Sequence, residues 1–526
     1  MRNYYILLAI LTYVQFCACE DTLRMIPENS VTFENAFENE REIEIGVLTV
    51  ERYARKYLGM TDIQYPALYG AYSNYHTPLD AALLRENDAA LYTIQWNHIY
   101  EVIAMANVPL PYIDKVEMPQ ERRNFYKGQI FFTKALAYFE LGRRWGRCPI
   151  IRDEVKFQPV EFSSWVKVID YAIELTRKAI KSLPEYPDLK DCNGNAITYK
   201  SVPCKGAAQA LLAHLCAWKA GCKYMAAPEE ATYDEQALWS AVDSACTALI
   251  NSPVYELAKT PEEVCTSTLV GGDQESIYEN VLRGFWEEME NEDPFSITNR
   301  IFCFGRFFQS WPVVTNTGEG DIQNMKYRIL NTSVREMYPT RTVGDQTVTD
   351  LRRDAYFYDF ERMEAEDTDI TGGYAYPWKW RLARVGTSGW DIGEFSNFDQ
   401  NRIWFRLADI ILLRAECRAR LGNQSGAIAD LNRIRERANA ELYNSSEYDG
   451  NLRYAIYKER EKELLMEGWR WYDIIRNGYY KTELYGGFRN VSAQDIIDGV
   501  FFNGVDDIEF ENNPLARQNT YWLKRI

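Results

Sequence analysis

Three histidines, His76, His98 and His214, are the only imidazoles in the chain, and none belongs to an HExxH pattern or a His–Cys cluster. Nucleophilic catalysis needs a hydroxyl or thiol beside a base, and hydrolytic zinc needs three converging ligands; these spacings supply neither. The sequence also lacks a G-x-S-x-G elbow and a G-x-x-x-x-G-K-[ST] phosphate loop. Carboxylates are too plentiful for counting to exclude a glycosidase pair, but Glu287, Glu288 and Glu290, in one acidic run, read as a solvated face. Asp191, Asn193 and Asn195 suggest calcium until Gly194 is noticed, which is misplaced for an EF-hand loop. No catalytic group, metal or cofactor is therefore expected. What the composition does offer is contact chemistry. With 36 Tyr and 14 Trp the aromatic share reaches 14%, and such rings supply large, stiff contact area at small entropic cost.

The elements that must carry those rings follow from length and charge. A chain of 526 residues with 46% hydrophobic content can bury a large core, and no Pro-, Gly- or Ser-rich stretch divides it. The formal charge of -17 repels phosphate backbones and anionic bilayers, so nucleic acid is not an expected partner. Residues 1–18 read as an export signal, with Arg2 in a short basic region and an apolar run from Tyr4 to Phe16 that is too short to span a bilayer. The run closes on Phe16-Cys17-Ala18-Cys19, which resembles a lipobox and would make Cys19 the lipidated first residue of the mature protein. Beyond Cys17 and Cys19, nine of the eleven cysteines remain, an odd number, and most read as small core residues.

Helical periodicity comes in pairs. It covers Glu121 to Gly142, Trp165 to Leu183, Lys205 to Gly221, Tyr233 to Ile250, Arg402 to Leu421 and Ala427 to Ala440, with Gly422 placed as a helix stop. Paired helices with small residues at their crossings predict a mainly α scaffold of tetratricopeptide-like hairpins. Residues 261–400 lack a sustained 3.6-residue period, which predicts a loop-rich variable region with little strand. Binding function is commonly placed in such a region.

The C-terminal third carries four ordered motifs: RLADIILLRAE at 406–416, AIADLNRIRERA at 427–438, EREKEL at 459–464 leading into EGWRWYDIIR at 467–476, and NPL at 513–515 followed by Gln518 and Asn519. They resemble those of the SusD/RagB family of outer-membrane lipoproteins. Earlier segments are similar to the same family, among them FFTKALAYF at 131–139 with RRWGRCPII at 143–151, KGAAQALLA at 205–213, and the helix from Trp96 to Asn107. The resemblance implies a SusD-like fold, divided into an N-terminal region at 19–260 and a C-terminal region at 261–526. Within the motifs, Glu459 with Glu463, Arg414 with Glu416 and Arg418, and Asp473 with Arg476 read as ion networks of the fold. Glu20 and Asp21, directly after Cys19, resemble the surface-export signal of Bacteroidota lipoproteins.

Membership implies a protein anchored by lipid on the outer face of the outer membrane that binds a glycan without catalysis. It would pass the glycan to a SusC-like TonB-dependent transporter. A peptide-capturing relative of the RagB type is the alternative, and a secreted hydrolase a third. A sugar needs flat aromatics against its C–H faces and polar groups for its hydroxyls. The family's loop positions hold Tyr69, Tyr72, Asn74, Tyr75, His76, Asp80 and Arg85 early, and Trp286, Phe307, Trp311, Tyr376, Trp378 and Trp390 later. Ligand contact is expected at Tyr72, Tyr75, Arg85, Trp311 and Trp378, whereas Trp96, Trp469 and Trp471 are expected in the core.

Overall fold

The computed structural model describes residues 36–58, 93–94, 96–153, 158–281, 310–314, 317–325, 328–386, 392–484 and 486–524. Ten longer helices form the body: α1 Glu40–Tyr57, α2 Asn97–Asn107, α3 Gln120–Arg144, α4 Trp165–Ser182, α5 Lys205–Gly221, α6 Glu235–Ile250, α7 Leu407–Arg420, α8 Gln424–Arg437, α9 Leu452–Glu463 and α10 Arg470–Asn477. Five of them (α1, α5, α6, α8 and α9) start where a side chain accepts an orphan N–H group. Asn39 and Glu42 form a capping box at α1, and the Asp234 side chain accepts from Ala237 N at 3.0 Å at α6. Gly422, left-handed at φ +82°, follows α7 as expected.

Consecutive helices pack as hairpins, α3 on α4, α5 on α6 and α7 on α8, while α7 also packs on α6 and α9. Because α5 is rich in Ala and Gly, its neighbours come close: a Cβ on Gly221 would sit 2.6 Å from the Arg476 carbonyl. One continuous apolar core joins helices from both sides of residue 260. Trp96, Trp469 and Trp471 are buried in it, as predicted. Of the eight described cysteines, seven are also buried and none is in a disulfide. Burial pushes the thiols of Cys148 and Cys216 up to about 12. Among the described residues no helix is long and apolar enough to cross a membrane.

One prediction needs correction. Arg402 to Leu421 is not a single helix, because Arg402–Arg406 (β2) is a strand paired antiparallel with Ser276–Asn280 (β1), and the helix begins only at Leu407. Ile403, Trp404 and Phe405 favour extended backbone, and the neighbouring strand supplies the hydrogen-bond ladder that a lone helical pattern conceals. Region 261–400 otherwise holds short two-stranded pairings and helical turns such as Asn331–Met337, Arg352–Tyr356 and Phe360–Ala365.

The motif charges are buried, and many of their pairs join separate elements. Arg406 reaches Glu275 at 2.7 Å, Glu463 at 2.8 Å and Glu467 at 2.7 Å; Arg352 reaches Asp350 at 2.7 Å and Glu459 at 2.6 Å. Arg476 spans Glu416 and Asp473, at 2.6 and 2.7 Å. Fully desolvated charges persist only when each is paired, so the network fixes one arrangement of the C-terminal helices.

Candidate functional site

The aromatic site grows from two extended segments held side by side. Tyr358 N donates to Tyr376 O at 2.8 Å and Trp378 N to Tyr356 O at 2.7 Å, with Phe357 opposite Pro377. The pairing buries Tyr356 and Tyr376 and leaves Tyr358 and Trp378 partly exposed. The buried network anchors this segment from behind. Lys379 Nζ donates to Glu467 Oε1 at 2.6 Å and to the Glu463 carbonyl at 2.9 Å, and Trp380 Nε1 donates to the Met466 carbonyl at 3.0 Å. Trp378 is thus presented by a rigid backbone.

Trp311 arrives from a separate turn. Its ring lies 5.5 Å from Tyr358 at 86° and 6.0 Å from Tyr376 at 87°, while Tyr358 lies 5.1 Å from Trp378 at 60°. Edge-to-face contacts at these distances are the favoured geometry for ring quadrupoles. The outcome is a continuous Trp311–Tyr358–Trp378 surface, half-buried at each ring, so two residues predicted independently from the sequence are brought together. Tyr358, which joins them, was missed, since nothing in its spacing separates it from the buried Tyr356. Tyr376 is fully buried, its hydroxyl donating to the Glu319 carbonyl at 2.6 Å, and it packs with Ile322 and Met363 beneath Trp311.

Polar groups rim this surface. The Arg381 guanidinium stands 5.1 Å over Trp378 and is fixed by Glu262 at 2.8 Å and the Ala355 carbonyl at 2.7 Å. Arg328 lies 4.4 Å over Tyr374, and the exposed Arg362 pairs with Asp359 at 2.5 Å. These groups can hydrogen-bond hydroxyls while the rings take apolar faces. Tyr72, Tyr75, Arg85, Cys19, Trp286, Phe307 and Trp390 lie outside the described residues.

The described histidines have other tasks. His214 Nε2 is 2.7 Å from Asp409 Oδ2, with its ring stacked between Phe405 and Trp469 at 5.1 and 4.6 Å, and it is 3% exposed, out of reach of any substrate. Burial pushes this imidazole below its usual range despite the Asp409 carboxylate. His98 stacks on Tyr57 at 4.7 Å and pairs with Glu101 at 3.3 Å. Asp191 Oδ1 accepts from Asn193 N and Asn195 N at 2.9 and 2.8 Å, closing its loop as an Asx turn. Among the described residues no group of three or more His, Cys, Asp or Glu is placed to hold a metal.

Comparison with known proteins gives a consistent set of relatives. Residues 323–522 match the model described as the SusD family, and residues 61–216 match the model described as starch-binding associating with outer membrane. A SusD-like protein, P38, of Formosa agariphila is 24% identical over 95% of both chains. Among solved structures, a SusD homolog from Bacteroides thetaiotaomicron superposes with a TM-score of 0.69 at 21% identity, covering 92% of this chain and all of that one. Surface glycan-binding protein A of the same species gives 0.64 at 17% identity, again over 92% and 100%.

Proposed function

Given that this chain belongs to the SusD/RagB family, we propose that it captures a glycan on the Trp311–Tyr358–Trp378 surface without catalysing its breakdown. The observation that carries this reading is the surface itself: three linked, half-buried rings on a backbone braced by buried ion pairs, with Arg381 and Arg362 at the rim. Sugar rings stack on such faces, and the fixed platform lowers the ordering cost of binding. Family membership supports the rest of the assignment. Cys19 would carry the lipid that holds the protein on the outer face of the outer membrane, and a SusC-like TonB-dependent transporter would receive the glycan. Tyr72, Tyr75 and Arg85 would add contacts from the early loop.

Calorimetry of the mature protein against a panel of soluble glycans tests the capture step, with Trp378→Ala as the paired variant. Binding of at least one glycan that weakens in the variant is expected. Binding of a peptide mixture with no response to any glycan overturns the reading in favour of the peptide-capturing relative, and turnover of a glycan overturns it in favour of a hydrolase. Cys19→Ala is expected to release the protein from the membrane fraction of its host, because acyl burial contributes about 0.8 kcal/mol per CH₂.

A further inference from the structure

Outside the set of rings that form the aromatic surface, three arginines converge. Arg143 and Arg144 end α3, Arg402 opens β2, and all three line one cavity of ≈ 10 Å³, room for a single water-sized occupant. Arg143 and Arg144 are 5% and 8% exposed. Glu140, one turn earlier on α3, pairs with both, at 2.9 Å to Arg144. Glu467 is the carboxylate among the described lining residues, and it is already engaged by Lys379 and Arg406, at 2.6 and 2.7 Å. Positive charge therefore dominates the cavity wall.

The arginines show the strain of that crowding. Among the described residues the buried Nε of Arg143 meets no hydrogen-bond acceptor, and its guanidinium lies 4.0 Å over Tyr472, while that of Arg402 lies 3.9 Å over Trp404. Aromatic faces offset part of the charge but leave a charged donor unsatisfied, which native interiors rarely tolerate. Burial pushes the Arg402 guanidinium down to about 9, with Arg144 and Arg143 adding to the fall against the opposing pull of Glu140.

We propose that this cavity is a binding site for one small monovalent anion, a halide, held among Arg143, Arg144 and Arg402. The anion accepts from the Arg143 Nε, screens the guanidiniums from one another, and ties the end of α3 to the start of β2 and to the turn at Gly468. None of its three arginines belongs to the Trp311–Tyr358–Trp378 surface, so the assignment does not depend on the capture reading.

Crystals of the mature protein grown in bromide test this directly by anomalous diffraction. One bromide peak between the three guanidiniums is expected; water density there, or peaks confined to exposed side chains, overturns the proposal. Thermal melts give a second measurement. In chloride the protein should melt about 1–2 °C higher than in gluconate of equal ionic strength, the size expected when a folded-state ligand is supplied well above its dissociation constant. In Arg402→Met that difference should vanish, and its persistence in the variant would assign the salt effect elsewhere and count against the site.

Discussion

Arg406 Nη1 lies 2.8 Å from Glu463 Oε1, and neither side chain is more than 1% exposed. Arg406 is the residue at which β2 ends and α7 begins, while Glu463 closes α9, so the pair locks a strand–helix junction to a distant helix. Arg437, Arg352 and Arg406 together hold the Glu463 carboxyl well below its usual range against the opposing effect of burial.

Removing one partner of such a pair leaves the other charged and dry. Arg406→Ala should cost about 3–5 kcal/mol of stability, read from urea unfolding, and is expected to exceed the loss from the exposed Arg362→Ala, whose ion pairs are worth at most about 1 kcal/mol. Equal losses in the two variants would mean that the buried network does not hold the fold.

Two rings of the aromatic surface should answer differently to truncation. Trp378→Ala should weaken glycan binding by about 1–3 kcal/mol, roughly 5- to 150-fold, with little change in melting temperature. Trp311 packs on Tyr376 and its small cluster as well as facing outward, so Trp311→Ala should lower both affinity and melting temperature. A Trp311→Ala protein with unchanged stability would show that the packing of its ring on Tyr376 does not support the fold.

Glu279 gives a pH signature. Burial pushes its carboxyl up to about 7, partly countered by Lys200 and by hydrogen bonds from Gly272 N and Asn401. A carboxyl raised in the folded state releases its proton more readily when unfolded. Its contribution is complete below the unfolded value near 4.5 and is lost as pH rises through about 7. Between pH 5 and pH 8.5 the wild type should therefore lose on the order of 2–3 kcal/mol from this group, a loss absent in Glu279→Gln; parallel stability profiles of the two proteins would refute it.

Gly221 should tolerate no side chain. Its α carbon faces the Arg476 carbonyl, and a methyl there would meet that oxygen at 2.6 Å. Gly221→Ala is expected to cost about 1–3 kcal/mol by forcing α5 and α10 apart, although alanine is the better helix former. Denaturant titration of the single variant checks the sign: a gain in stability would show that the helices can separate freely.

The scaffold was legible because its signals are local. Apolar spacing and Gly422 after α7 each act within one or two turns of chain. The strand at Arg402–Arg406 was not, since Arg-Ile-Trp-Phe-Arg continues the apolar pattern of α7 and its partner lies more than a hundred residues upstream at Ser276–Asn280. Likewise the spacing of Glu459 and Glu463 announced an ion network but could not name Arg352, Arg406 or Arg437 as the partners. Trp311 and Trp378 could be picked out through the loop positions that the family resemblance implies. Tyr358 could not, because its exposure follows only from pairing with 376–378.

The contact between His214 and Asp409 spans 195 residues of sequence. During synthesis α5 therefore emerges long before α7, the helix against which its histidine is to be buried, and in that interval the nascent chain carries an open apolar seam. Closure of the core must therefore wait until α7 has been made.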